Sequence, residues 1–221
     1  MKAAGVLPTV LLIAAAGCTS SRSPGVVAAS SVPLTSAGTA TTASPSPVEL
    51  SERWWSWAAS VPEAQNAISD ATGKNCPVGQ PTDVWFLAGT SGGSVKRSCT
   101  IPAGRPIFFP VVNFVCGVTA KKPVDAELAR CRGDFKIVSG VATLDGQPIH
   151  LDAVDTPEFT IDLAAGNGVF NTTGKALATS SGLWASISSL GTGTHTLAFS
   201  GTAAVKGTEF NTAVTYALSA G

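Results

Sequence analysis

The sequence predicts a mainly β fold, a β-sandwich of Greek-key or jelly-roll type with an N-terminal helical cap. Three observations predict it. From Phe135 onward the chain is nearly all short apolar or alternating runs separated by turn residues, the pattern of sandwich strands. A segment near residue 50 instead carries apolar residues at helical spacing. Four cysteines, Cys76, Cys99, Cys116 and Cys131, sit in a chain whose first residues read as an export signal, so two disulfides are expected.

The signal comes first. Lys2 supplies a positive start, and an apolar run from Val6 to Ala16 comes next, broken only by Pro8 and Thr9. It is shorter than the about 20 apolar residues a membrane span needs. It ends in Ala15-Ala16-Gly17-Cys18, which resembles the lipobox of bacterial lipoproteins. Ala15 stands where that motif usually has Leu. The resemblance implies removal of residues 1–17, acylation of Cys18 (palmitate among the chains) and a lipid anchor in the cell membrane, with the domain on the extracytoplasmic face. Acyl chains hold by about 0.8 kcal/mol per buried CH₂.

Residues 18–45 then form a lipidated N-terminus and tether. From Thr19 to Pro45 the chain is almost all Ser, Thr, Ala, Pro, Gly and Val, with Arg22 its one charge. Such a segment buries too little apolar surface to offset its ordering entropy. As a flexible coil it would span roughly 30 Å. Residues 46–221 remain as a single disulfide-stabilised domain, long enough for one core.

Within that domain, Ser46-Pro47-Val48-Glu49 has the form of a capping box with Pro at the first helical position. Leu50, Trp54, Trp57, Ala58 and Val61 then share one helical face, with Trp55 pointing elsewhere, and Pro62 ends the helix. A second short helix is expected over Glu63–Ser69. Val84–Ala88 is a short apolar run before Gly89-Thr90-Ser91-Gly92-Gly93, and Ser94–Ile101 is expected to return as its partner strand. Ile107–Phe114 is a further strand, and Lys121–Arg132 is polar and helical. Ile137–Leu144 and Pro148–Leu151 flank Asp145-Gly146, a hairpin signal. Glu158–Leu163, Leu183–Ser188, Thr194–Ser200 and Thr212–Leu218 complete the strands. Disulfides between sequence neighbours, Cys76–Cys99 and Cys116–Cys131, are expected; zinc is disfavoured by the lack of a CxxC pair.

Five segments taken together carry a resemblance: Trp54-Trp55-Ser56-Trp57-Ala58, Asn75–Gln80, Val84–Gly89, Arg97–Pro102 and Ile107–Asn113. They are similar to a family of secreted bacterial proteins, and Leu183-Trp184 and Gly193–Leu197 extend the likeness over most of residues 50–218. The resemblance implies one exported domain. It implies no activity, cofactor or catalytic residue.

Charge narrows the function. Formal net charge is zero, so no nucleic-acid partner is expected. Gly89–Gly93 has the form G-x-S-x-G of a hydrolase nucleophile elbow, with Asp152 or Asp155 and then His195 in the matching order. That elbow needs a helix directly after Ser91, whereas Ser94–Thr100 reads as a strand. The segment is therefore read as a hairpin loop and no catalytic residue is assigned. His150 falls on a polar strand face, and His195 shares a face with Leu197 and Phe199. Asp145, Asp152, Asp155, Glu158 and Asp162 cluster in sequence without EF-hand spacing, so no metal or cofactor is assigned. Arg132-Gly133-Asp134 is read as a chance adhesive tripeptide. The ligand-binding candidate is Trp184. In Leu183–Ser188 the apolar face is Leu183, Ala185 and Ile187, which leaves Trp184 with Ser186 and Ser188. An indole on a solvated β-face suits sugar stacking or a protein interface. The expected function is a non-enzymatic binding or interaction module of the cell envelope, with cell-wall glycan or an envelope protein as partner. The alternative is an envelope hydrolase.

Overall fold

The computed structural model describes residues 44–118 and 124–221. The export signal, Cys18 and the tether up to residue 43 lie outside the described residues. The fold is mainly β, a two-sheet sandwich with an N-terminal helical cap.

Helix α1 spans Pro47–Ala59. Ser46 caps it: its Oγ accepts from the Glu49 N–H at 3.2 Å, and Pro47 opens the first turn, where a missing N–H is harmless. After Pro62 only a short 3-10 turn forms, Glu63–Gln65, rather than the longer helix expected there. The strands come next: β1 Trp85–Phe86, β2 Gly93–Ile101, β3 Ile107–Val118, then helix α2 Val124–Gly133, β4 Phe135–Leu144, β5 Gln147–Pro148, β6 Asp152–Asp155, β7 Phe159–Leu163, β8 Gly174–Ile187, β9 Gly193–Val205 and β10 Thr208–Ala220.

One sheet has the order β1-β3-β8-β6, with β7 beside β8 as well; the other runs β2-β10-β9-β4-β5. Two pairs are parallel, β1 with β3 and β2 with β10. Parallel partners need a crossover, so β2 does not return beside β1 as expected. It crosses to the second sheet and lies along the last strand of the chain. The Asp145-Gly146 turn forms as its sequence predicts, but the returning strand is only Gln147–Pro148 rather than Pro148–Leu151. Thr143 faces Pro148 and Leu144 faces Gln147, and the two turn residues have φ of 51° and 80°, the left-handed values that a two-residue turn requires. Pro110, inside a central strand, is tolerated because β3 bulges between Pro110 and Val112.

Sheet pleat gives the first sheet two buried faces. Trp85, Leu87, Ile107, Phe109, Ala185 and Ile187 pack toward Leu197, Phe199, Val214, Tyr216 and Leu218 of the second sheet. Phe86, Phe108, Ile161, Ala178 and Trp184 face the other way, onto Trp54, Trp57 and Ala58 of α1. The molecule is therefore layered as helix, sheet, sheet. The sheets close tightly at one end, where a Cβ on Gly201 would stand 2.7 Å from the Cβ of Val112.

This layering corrects the reading of Trp184. It is fully buried at 0 % exposure. Its ring stacks on Phe108 at 5.1 Å and 10°, and meets Trp54 edge-on at 5.5 Å. Alternation places it correctly on the face opposite Leu183 and Ala185, but that face is roofed by α1 rather than open to water. Trp184 is not a ligand-binding residue.

Both expected disulfides are present, Cys76–Cys99 and Cys116–Cys131, each with Cα atoms 5.9 Å apart. The first ties the segment before β1 to β2, and the second ties α2 to β3. Replacing both Cys116 and Cys131 by Ser is expected to lower stability by about 3 kcal/mol, the loop-closure entropy of such a crosslink. Chemical denaturation of the variant and the oxidised wild type checks it; equal midpoints would contradict it.

Candidate functional site

Along β3, the neighbour β1 stops at Phe86, opposite Phe108. Beyond that point no strand among the described residues pairs with β3 on this side, and a cleft of about 240 Å³ opens beside Asn113, Phe114 and Val115. Its remaining walls come from Trp54 and Trp55 of α1, Ile68, the Gly89–Ser91 loop, the Gly168-Val169 turn and Phe210 of β10.

The irregular walls are fixed by buried polar side chains. Arg97 of β2 is only 4 % exposed. Its Nη1 donates to the carbonyls of Ala88 (2.9 Å) and Gly89 (2.8 Å), its Nη2 to Ile68 (2.8 Å) and its Nε to Asp70 (2.6 Å). Nη1 also donates to the Tyr216 hydroxyl at 3.1 Å, which in turn donates to the Ala88 carbonyl at 3.0 Å. One guanidinium thus clamps two walls of the cleft to both β2 and β10. Burial pushes the Tyr216 phenol above its ordinary pKa, so it stays a donor. Asn66 donates to the Ala58 carbonyl (2.6 Å) and accepts from the Ile68 N–H (2.9 Å). Asn167 donates to Ala164 and Thr172 and accepts from the N–H groups of Val169 and Phe170. Trp54 is held by its Nε1 donating to the Leu87 carbonyl at 2.9 Å. A polar side chain that satisfies backbone groups in irregular segments is how a loop becomes rigid in a buried setting.

The chemistry of the lining is narrow. Among the described residues, no ionisable side chain lines the cleft. Trp55 Nε1 and Asn113 Nδ2 are buried without a hydrogen-bond partner among those residues, and so is Trp184 Nε1. Trp184 Nε1 and the Asn113 side chain flank Gly182: a Cβ there would stand 2.8 Å from each. All three atoms are N–H donors. Trp55, off the main apolar stripe of α1, is nonetheless only 7 % exposed, its ring 4.9 Å from Trp54.

The other candidate residues do not converge. Ser91 lies at the cleft mouth, but β2 rather than a helix succeeds it. His195 is engaged elsewhere, with Nδ1 on Asp145 at 2.8 Å and Nε2 on the Gly191 carbonyl at 3.1 Å. His150 is exposed and sits 3.4 Å from Asp152. Asp155 pairs with Ser181 and lies 3.9 Å from Arg132, and Asp162 pairs with Lys175. The acidic cluster in sequence is dispersed in space, and among the described residues no three such groups stand together as a metal site. No family model, curated protein or solved structure matches the chain.

Sequence reasoning passed over Trp55, Asn113 and the clamps Arg97, Asn66 and Asn167.

The titrations with a resolved cause serve structure. The Arg53 guanidinium, 2.6 Å away, holds Asp83 below the ordinary carboxylate value. Burial raises Asp70, but N–H donors from Asn75 and Thr72 outweigh it and leave its pKa lowered. The Asp145 bond raises His195, and His195 together with the Thr196 N–H lowers Asp145. This pair fastens the β4–β5 turn to the start of β9. The His195 share is present below its unfolded value of about 6.5 and is lost as pH rises through the raised folded value. The Asp145 share is present above about pH 4 and is lost as pH falls through the lowered one. The difference in melting temperature between wild type and Asp145→Asn is therefore expected to peak between about pH 4 and pH 6.5. In NMR titration the His195 midpoint should fall in Asp145→Asn; an unmoved midpoint would refute the pairing.

Proposed function

We propose that the chain is a lipid-anchored binding module of the cell envelope, held by acylated Cys18 on the extracytoplasmic face, with its ligand seat in the cleft beside Asn113. The observation that carries this reading is a rigidly built cleft whose lining is largely apolar and, among the described residues, uncharged. Catalysis of hydrolysis calls for a titratable group within reach of the reacting atoms. The two histidines are placed away from this lining, so a hydrolase has less support than a binding module. Two disulfides fit an oxidising compartment.

Pelleting with purified, insoluble cell-wall glycan tests the proposal, using the full chain in detergent. Wild type is expected to pellet, and Trp55→Phe and Asn113→Ala to pellet less. Unchanged pelleting by both variants would overturn the cleft assignment. Release of soluble glycan by wild type, abolished in Ser91→Ala, would establish the hydrolase instead. For the anchor, Cys18→Ser should move the chain out of the membrane fraction or leave it unprocessed.

A further inference from the structure

Resting on that reading, we infer that the same seat also takes an extended, uncharged stretch of a partner polypeptide, which joins the first sheet as a strand beside β3. Register decides which way the backbone of β3 points. Ser180 of β8 stands opposite Val115. Its N–H donates to the Thr156 hydroxyl at 2.8 Å and its carbonyl accepts from the Thr156 N–H at 2.9 Å, both on the β6 side of β8. Ser180 and Val115 therefore exchange no backbone hydrogen bond. In an antiparallel ladder both members of such a pair turn their groups away from each other. The ladder has no register shift from Val112 to Val118, so Asn113, one repeat earlier, turns the same way as Val115. That way lies the lane that β1 leaves after Phe86, and Asn113 and Val115 line the cleft within it. Among the described residues, no backbone group in that lane bonds the N–H or carbonyl of either.

The chain itself begins this lane and then abandons it. The Leu87 N–H still donates to the Phe108 carbonyl at 3.1 Å. Pro110 is the next residue of β3 on that edge and has no N–H to offer. Arg97 holds the Ala88 and Gly89 carbonyls instead, so the chain turns off β3 there. Past the bulge after Pro110, the edge again presents donors and acceptors two residues apart, about 6.8 Å. An extended peptide repeats its own N–H and carbonyl groups at that spacing. The walls also suit a strand. Ile68, Val115 and Val169 belong to the apolar layer under α1, while Phe114 and Phe210 belong to the layer between the sheets. Successive side chains of a strand point to opposite faces, so an added strand sends one into each layer. At an open edge the main chain supplies the affinity and alternate side chains the selectivity. No ionisable side chain lines the cleft among the described residues, so a charged side chain would lose its hydration without gaining a counter-charge. The segment recognised is thus uncharged.

The test is NMR titration of the full chain in detergent with two probes. One is an acetylated, amidated pentapeptide of alternating serine and valine. The other is the same peptide N-methylated at every residue, which keeps the side chains and removes the donors. The plain peptide is expected to bind, to shift the Asn113 and Val115 amide resonances and to slow their hydrogen exchange about tenfold. The methylated peptide should bind about tenfold more weakly, or less, from the lost hydrogen bonds. Equal binding of the two, or binding that leaves Asn113 and Val115 exchange unmoved, would overturn strand addition. Saturating plain peptide should also reduce pelleting with cell-wall glycan, because the two share one seat. Undiminished pelleting with the edge protected would keep the strand and overturn the glycan seat. If neither peptide binds while Trp55→Phe and Asn113→Ala still reduce pelleting, the strand inference fails and the binding function stands. If pelleting is also unchanged, both fail.

Discussion

Arg97→Met is expected to destabilise the domain by about 3–5 kcal/mol, from several buried carbonyl oxygens that lose their donor at once. The side chain is 4 % exposed and donates to the carbonyls of Ile68, Asp70, Ala88 and Gly89 and to the Tyr216 hydroxyl. Methionine fills similar space but takes the donor from the Ile68, Asp70 and Gly89 carbonyls, while Ala88 keeps the Tyr216 hydroxyl. Each buried oxygen so orphaned costs about 1–3 kcal/mol. The sum is reduced because the freed loops can relax toward water. Arg97→Lys should recover little, since a single ammonium cannot serve the forked geometry of four separate carbonyls. Against a typical total of about 5–15 kcal/mol, the loss is large. Urea denaturation measures it as a fall in midpoint. A change below about 1 kcal/mol would mean that the carbonyls find other partners.

Trp184→Ala is the second large effect, about 3–5 kcal/mol from lost burial and the cavity left behind. The indole lies between Phe108 and Trp54, so its removal opens the contact between α1 and the first sheet. Trp184→Phe should cost clearly less. It keeps an aromatic ring against Phe108 and removes an indole N–H that has no partner among the described residues. Thermal melts of the two variants separate the cases. Near-wild-type stability in Trp184→Ala would return the residue to the surface role its sequence pattern suggests.

These two residues show where the sequence is legible and where it is not. Local signals read well. Ser46-Pro47 starts α1, Asp145-Gly146 makes its tight turn, and neighbouring cysteines pair. Each depends on a few adjacent residues whose conformational preference is strong. Alternation around Trp184 also separates the two faces of β8 correctly. It cannot report that a helix some 130 residues earlier covers one of them, because period-2 patterning names a face and not its neighbour. The sequence pattern understates strand length for a related reason. In β8, Ala176, Ala178, Thr179 and Ser180 are buried, yet small and hydroxyl side chains give little apolar signal. Two neighbouring runs, Val84–Ala88 and Ser94–Ile101, look like a hairpin because a Gly-rich turn lies between them. Register with β10 over nine residues, Gly93 to Ile101, draws the second run to the other sheet.

The candidate site is the least legible part. Its walls come from α1, four loops or strands and β10, and Trp54 and Phe210 are far apart in sequence. Its clamps are polar residues that a pattern reading assigns to the surface. Alternation puts Arg97 on the inward face of β2 with Cys99 and Ile101, but its charge argues for the surface, and the spacing does not reveal what its guanidinium meets there. Only the number of carbonyls brought around it by the fold makes a buried arginine favourable there.

Blocking the cleft tests the central claim, that it is the ligand seat, most directly. Ser91 is exposed at the cleft mouth, and the domain's four cysteines are in disulfides, so Ser91→Cys offers a thiol for a bulky maleimide. His150, exposed and outside the cleft lining, offers a control site as His150→Cys. Pelleting with cell-wall glycan is then compared for the two labelled proteins. Loss of pelleting in labelled Ser91→Cys, with labelled His150→Cys still pelleting like wild type, is the predicted result. Full pelleting of labelled Ser91→Cys would contradict the claim.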